Sequence, residues 1–73
     1  MKKAVAYIRV SREDEKPENQ WFAIQHWAKE NGYEVVPFID YAVSGAVDPF
    51  QRPGFIMMID YMKNNSIKTI VVT

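Results

Sequence analysis

Three polar residues near the amino terminus have the types and spacing of a phosphate-handling site. They are Tyr7, Arg9 and Ser11, at alternate positions of a segment rich in β-branched, aromatic and small apolar residues. Alternate side chains of a β-strand point to one face, so the three share a face of a strand predicted over residues 4–11. A buried arginine needs an anion beside it, and a serine at the strand end could act as a nucleophile.

The remaining residues favour phosphoryl transfer over acyl transfer. The single histidine, His26, falls in the middle of a predicted helix and away from the strand end, so no serine–histidine pair is indicated. Guanidinium groups instead present a fixed fork of donors that matches phosphate oxygens. Arg52 stands just before a proline that opens a second predicted helix. The backbone donors at that helix's amino end could bind the same anion.

Each candidate also has a structural interpretation. Ser11 and Asp14 have the spacing of a capping box at a helix start. Arg9 could form an ion pair with Asp40 or with Asp14. Taken alone, Arg52 is typical of a solvated loop arginine.

The predicted elements alternate between strands and helices. Pro17 suits a helix start, a helix from Glu18 to about Asn31 follows and is ended by Gly32, and a second strand covers 33–40. A long loop over 41–52 leads to a helix from Pro53 to Asn65, and a third strand covers 67–73. This order predicts a small three-layer α/β fold with a parallel sheet and right-handed crossovers. In such sheets ligands bind beyond the carboxyl ends of the strands, where Ser11, Asp40 and Thr73 fall.

The apolar spacing predicts which helix faces are buried. In the first helix the predicted inward residues are Gln20, Ile24, Trp27 and Ala28, with Ala23 beside them, and Gln20 is expected near the site. In the second helix they are Phe55, Met58 or Ile59, and Met62. In the second strand, Val35 and Val36 are adjacent, which is typical of a buried parallel strand, whereas Pro37 cannot donate to a ladder and is more natural on an edge strand.

Composition limits the classes of function. A chain of 73 residues with 48% hydrophobic residues is one small globular domain. Its formal net charge is zero, so it lacks the basic surface of a domain that binds nucleic acid alone. It has no cysteine for a disulfide or zinc–thiolate site, and no apolar run spans a membrane. We expect a cytoplasmic protein with no membrane partner.

Four segments together resemble the catalytic domain of the serine recombinases, the resolvase/invertase family. They are Tyr7-x-Arg9-Val10-Ser11, Glu18-Asn19-Gln20, Ser44-Gly45 and Arg52-Pro53-Gly54-Phe55, which span nearly the whole chain. The first and last look closest to large serine integrases and transposon-type members. By this resemblance, residues 1–73 are the N-terminal part of a catalytic domain whose C-terminal portion is missing.

The resemblance implies a mechanism and its residues. Ser11 would attack a phosphodiester of double-stranded DNA and form a 5′-phosphoserine link, without metal or ATP. Arg9 and Arg52 would hold the scissile phosphate. The side chains that would line and order the site are Tyr7, Gln20, Ser44 and Asp40. The full-length protein would bind the DNA and act as a homodimer or tetramer.

Two departures from the family pattern limit what this chain could do. Many members carry a glutamine where Glu15 stands. The family's Asp-Arg-x-x-Arg segment, its long dimerisation helix and its DNA-binding domain would all follow the third strand, beyond Thr73. We therefore expect that these 73 residues do not cleave DNA unaided.

Two other functions compete with this interpretation. The chain could be a non-catalytic module that pairs with a full-length recombinase and regulates it, using exposed Trp21, Phe22 and Met57. It could also be a small phosphate- or nucleotide-binding domain. The second alternative lacks a glycine-rich phosphate loop and the acidic pair that ends the first strand of a receiver domain.

Overall fold

The computed structural model describes residues 2–10, 16–41 and 48–72, and the predicted element order is confirmed within them. The elements are β1 (Lys2–Val10), α1 (Pro17–Asn31), β2 (Tyr33–Tyr41), a 3₁₀ turn (Pro49–Gln51), α2 (Pro53–Asn65) and β3 (Ile70–Val71). The 3₁₀ turn lies inside the segment that the sequence predicts as a loop.

The described strands form a parallel sheet in the order β2-β1-β3, with a helix on each face. On one face Ala6, Ile8 and Val10 pack with Ile24 of α1. On the other face Val5 packs with residues of α2 and the segment after it. The crossover from β1 to β2 and the crossover from β2 past β1 to β3 run in opposite directions across the sheet, and right-handed connections then place the two helices on opposite faces. The predicted three-layer α/β fold is confirmed.

The buried stripe of α1 is rotated from the predicted one. Ile24 and Ala28 are buried as expected, but Trp27 is 39% exposed and stacks on Tyr33 at a ring distance of 5.1 Å. Ala23, expected beside the stripe, is exposed. Pro17 and Trp21 complete the inward face instead, at i, i+4, i+7 and i+11 with Ile24 and Ala28. Trp21, expected to be exposed, therefore packs against the core.

The inward face of α2 is centred on Met58, which is fully buried. Phe55, Ile59 and Met62 are half-buried and pack around it, so the two alternatives for this stripe both contact the core. The helix ends at Asn65 as predicted. In the described part of the chain, neither helix is long and apolar enough to cross a membrane.

The third strand is much shorter than predicted. Ile67 is buried in the core, yet only Ile70 and Val71 join the ladder with β1. The backbone N–H of Ile67 donates to the Met62 carbonyl at 2.9 Å, and Ser66 adopts a left-handed conformation with φ of 55°. Ser66 and Ile67 therefore close the end of α2, which prevents the strand from starting at Ile67, whereas the Thr69 carbonyl already accepts from the Val5 N–H of β1 at 3.0 Å.

The second strand and the end of the first helix follow the sequence prediction. Pro37 is exposed on β2, which is an edge strand of the described sheet. Gly32 has φ of 74°, and its N–H donates to the Ala28 carbonyl. This left-handed geometry is the reason for a glycine at the end of α1.

Candidate active site

Most of the predicted site residues that the structure describes lie at the carboxyl edge of the sheet. Arg9 near the end of β1 is in register with Asp40 near the end of β2. A cavity of about 320 Å³ at this edge is lined by Tyr7, Arg9, Gln20 and Val72. Strand β1 supplies two of the polar side chains and the first turn of α1 supplies the third. This arrangement could hold an anion against a guanidinium group.

Asp40 is the centre of the hydrogen bonds at this edge. It is 5% exposed, and its two carboxylate oxygens accept three hydrogen bonds. Oδ1 accepts from the Gly54 N–H at 2.7 Å, while Oδ2 accepts from the Phe55 N–H at 3.1 Å and from the Tyr7 hydroxyl at 2.8 Å. One carboxylate therefore joins β1, β2 and the start of α2.

The expectation that the amino end of α2 offers backbone donors to a bound anion is wrong for its first three N–H groups. Those of Gly54 and Phe55 donate to Asp40, and the Ile56 N–H donates to the Arg52 carbonyl at 3.0 Å. Asp40 does what an N-cap side chain usually does, but from a strand 14 residues earlier in the chain. The helix dipole is thus matched by a protein carboxylate.

Arg52 is a buried residue at 8% exposure, so its interpretation as a solvated loop arginine is wrong. It occupies the N-cap position of α2 with an extended backbone. Its Nη1 donates to the Tyr7 hydroxyl oxygen at 3.4 Å. The conformation imposed by the following Pro53 and the anchoring of α2 on Asp40 draw this side chain inward rather than into solvent.

The Tyr7 hydroxyl bridges the acidic and basic groups of the site. It donates its proton to Asp40 and accepts from Arg52. Burial raises the pKa of Tyr7 above its ordinary value of 10.0; the hydrogen bond from Arg52 opposes this shift and the interaction with Asp40 adds to it. The protonated phenol is therefore the form that the folded site favours.

Replacing Tyr7 with phenylalanine should make the protein less stable by about 1 kcal/mol near neutral pH, because the partly buried hydrogen bonds of its hydroxyl with Asp40 and Arg52 are lost. A raised pKa in the folded state stabilises the protein fully below pH 10.0, and this contribution is lost as the pH rises through the folded-state value. The stability difference between wild type and Tyr7→Phe should therefore shrink above pH 10. Urea unfolding of both proteins at pH 8 and pH 11 measures this difference in unfolding free energy. The two proteins share all other tyrosines, so the titration of those groups cancels. A difference that is the same at both pH values would contradict the raised pKa of Tyr7.

Gly54 is required by the close approach of α2 to β2. A Cβ at this position would lie 2.8 Å from the Ile39 carbonyl oxygen and 2.9 Å from the Asp40 carboxylate. Because the first of these neighbours is backbone, it cannot move aside. Of the signals in the sequence, a glycine directly after Pro53, inside a helix start, is the one that could have indicated this contact.

We expect Gly54→Ala to destabilise the protein by about 3 kcal/mol, through overpacking against the strand. The matched control is Gly32→Ala, where nothing lies within 4 Å of the added Cβ and only the backbone conformation is disfavoured. That control should cost about 1 kcal/mol. Urea unfolding at 25 °C compares them, and an equal or smaller loss for Gly54→Ala would show that the contact is not tight.

Several predicted residues lie outside the described residues. These are Ser11, the candidate nucleophile, and Ser44, together with Asp14 and Glu15. The proposed capping box at Ser11 and the ion pair with Asp14 fall there as well. The N-cap position of α1 is Lys16.

A larger groove of about 530 Å³ lies between α1 and the β3 segment. Its walls are mainly apolar side chains, among them Ile24, Trp27 and Val71. None of the predicted site residues lines it. The smaller polar cavity at the carboxyl edge is therefore the better candidate for chemistry on a phosphate.

Comparison with known proteins shows the family of this chain. The family model described as resolvase, N-terminal domain, matches residues 4–73. The transposon Tn2501 resolvase of Escherichia coli is 35% identical over 75 aligned residues, which cover 100% of this chain and 36% of that protein. The chain thus spans about a third of the length of this curated relative. No solved structure matches at a comparable level of significance.

Proposed function

Since the chain belongs to the resolvase N-terminal domain family, we propose that it serves site-specific DNA recombination as the N-terminal part of a serine recombinase catalytic domain. The rest of that domain would follow residue 73. The observation that carries the proposal is the convergence of Tyr7, Arg9, Gln20 and Arg52 at one sheet edge. Two guanidinium groups there suit a phosphodiester better than any uncharged substrate.

The reaction that this site would perform is a transesterification at phosphorus. The Ser11 hydroxyl loses its proton to solvent as its oxygen bonds to phosphorus, the bond from phosphorus to the 3′ oxygen breaks, and the 3′ oxygen takes up a proton, so no net proton is consumed. The product is a 5′-phosphoserine link and a free 3′ hydroxyl. Rejoining reverses these steps on a new strand, and since one phosphoester replaces another, no metal or ATP is needed.

The arginines supply most of the electrostatic stabilisation in this scheme. Arg9 and Arg52 would bind the non-bridging oxygens, whose charge must be held while the bonds exchange. Gln20 would add a neutral donor from α1, and Ser44 would order the site. Asp40 is hydrogen-bonded to Tyr7 and to the start of α2, so these two residues are suited to hold the site together.

The whole protein would be needed for cleavage. Because the 73 residues have a formal net charge of zero, they offer few contacts to DNA phosphates, so another domain would bind the double-stranded DNA. The full-length protein would act as a homodimer or tetramer in the cytoplasm. The isolated 73 residues are expected not to cleave.

The proposal is tested by trapping the covalent intermediate. The natural full-length protein is incubated with its recombination site carrying a nick beside the cleavage position, so that the cut end diffuses away. Denaturing electrophoresis should show a protein–DNA adduct, and peptide mass spectrometry should place the phosphate on Ser11. An adduct on another residue would overturn the assignment, and no adduct at all would overturn the proposed function.

A second candidate function is a module that pairs with an active recombinase and regulates it. Phe22 and Met57, at 67% and 63% exposure, favour it because they offer apolar contact area on two helices. Adding the 73-residue chain to an active recombinase separates the two functions. A regulator must change the recombination rate, whereas an incomplete catalytic domain leaves it unchanged.

A further inference from the structure

Arg52 is fixed to the sheet through its backbone. It directly precedes α2, whose first amides donate to Asp40 on β2 at 2.7 and 3.1 Å. The space between helix and strand is so small that only glycine fits at position 54. The backbone of Arg52 is therefore held near the end of β2, and the contacts of its side chain decide where the guanidinium lies.

Tyr7 fixes the other end of this side chain. Its hydroxyl has one proton, and since that proton is donated to Asp40 at 2.8 Å, the oxygen lone pairs face donors such as Nη1 of Arg52 at 3.4 Å. The phenol ring is itself held edge-on against Phe55, with ring centres 5.4 Å apart. Asp40 thus orients the Tyr7 hydroxyl, whose oxygen accepts the hydrogen bond from the Arg52 guanidinium.

We propose that Asp40 and Tyr7 form a relay that orients the Arg52 guanidinium, and that Tyr7 is a positioning residue acting through Arg52 rather than on the DNA. This inference rests on the proposed function, in which Arg52 binds the scissile phosphate. A guanidinium must present its fork in the plane of the phosphate oxygens, so a rotated fork keeps its charge but loses the paired geometry. Displacement by about 1 Å can lower a rate about 100-fold.

If Asp40 and Tyr7 orient Arg52 in this way, removing the Tyr7 hydroxyl should slow DNA cleavage without weakening DNA binding. In the full-length protein, Tyr7→Phe keeps the ring packing but removes the hydroxyl. The single-turnover rate of adduct formation should fall at least about 10-fold, while affinity for the recombination site changes less than about twofold. The control is Tyr61→Phe, which removes a hydroxyl from a half-buried tyrosine packed on Phe38 and should change neither quantity.

A double-mutant cycle tests whether Tyr7 acts through Arg52. Arg52→Met retains the aliphatic stem and removes the guanidinium, and in that background Tyr7→Phe should change the rate less than about twofold. A merely structural hydroxyl would lower the rate by the same factor in both backgrounds. Equal factors, or a wild-type rate for Tyr7→Phe, would overturn the relay.

A readout without DNA distinguishes failure of the relay from failure of the proposed function. The guanidinium N–H signals of Arg52 in an NMR spectrum should shift in Tyr7→Phe and stay unchanged in Tyr61→Phe. Unchanged signals in Tyr7→Phe would overturn the relay whatever the chemistry. Shifted signals in a protein whose wild type forms no adduct at Ser11 would overturn the proposed function and, with it, the role of Tyr7 in cleavage.

Discussion

Replacing Ser11 with alanine in the full-length protein is expected to abolish the covalent DNA adduct and to lower strand cleavage at least about 1000-fold. The proposed reaction needs an oxygen that forms a bond to phosphorus, and alanine has none. Site affinity should stay within about twofold of wild type, because in the proposed mechanism guanidinium groups would bind the phosphate and another domain would bind the duplex. Gel-shift titration and adduct formation on the nicked site measure the two quantities.

A matched control distinguishes the nucleophile from any serine on the chain. Ser66→Gly removes an exposed hydroxyl at the end of α2, where φ of 55° suits glycine, and should leave cleavage unchanged. If Ser11→Ala weakened binding as much as cleavage, Ser11 would be a structural residue, as its capping-box interpretation holds.

The positions of the helices and strands follow from local signals in the sequence. Pro17 and Gly32 bound α1 because proline suits a helix start and glycine suits the left-handed end. Pro37 lies on an edge strand of the described sheet, where a residue without an N–H is tolerated. These residues act through their own backbone, so a prediction needs no knowledge of the neighbours.

Features that depend on tertiary contact were predicted less well. Trp27 and Trp21 both fit an apolar helical stripe, and the choice between them depends on how the first turn of α1 sits on β1. The length of β3 depends on how many residues are used to close α2. Neither quantity is encoded in spacing alone.

The candidate site shows the same division. The alternation of Tyr7 and Arg9 on one strand, and the topology that brings Asp40 beside them, could be read from the sequence. The capping of α2 by Asp40 could not, because the carboxylate and the amides it accepts from are brought together only by the crossover from β2. The burial of Arg52 follows from that contact, so it too was missed.

Asp40→Ala is expected to have the largest effect on stability. It leaves two amides of α2 and the Tyr7 hydroxyl without the acceptor that they have in the folded protein. Hydrogen bonds to a charged group are worth about 1.5–3 kcal/mol each and do not add fully, so we expect a loss of about 3–5 kcal/mol. The total free energy of unfolding of a 73-residue chain is roughly 4–11 kcal/mol. Urea unfolding followed by circular dichroism should therefore show a midpoint far below that of the wild type.

Two further variants separate the contacts of Asp40 from its charge. Asp60→Ala removes a carboxylate from the exposed face of α2 and should change stability by less than about 0.5 kcal/mol. Asp40→Asn keeps one acceptor oxygen but turns an N–H₂ group toward donors, so its loss should be intermediate, about 2 kcal/mol. If Asp40→Ala were no more destabilising than Asp60→Ala, the carboxylate would not anchor α2. The fixed position of Arg52, on which both the phosphate site and the relay through Tyr7 depend, would then need another cause.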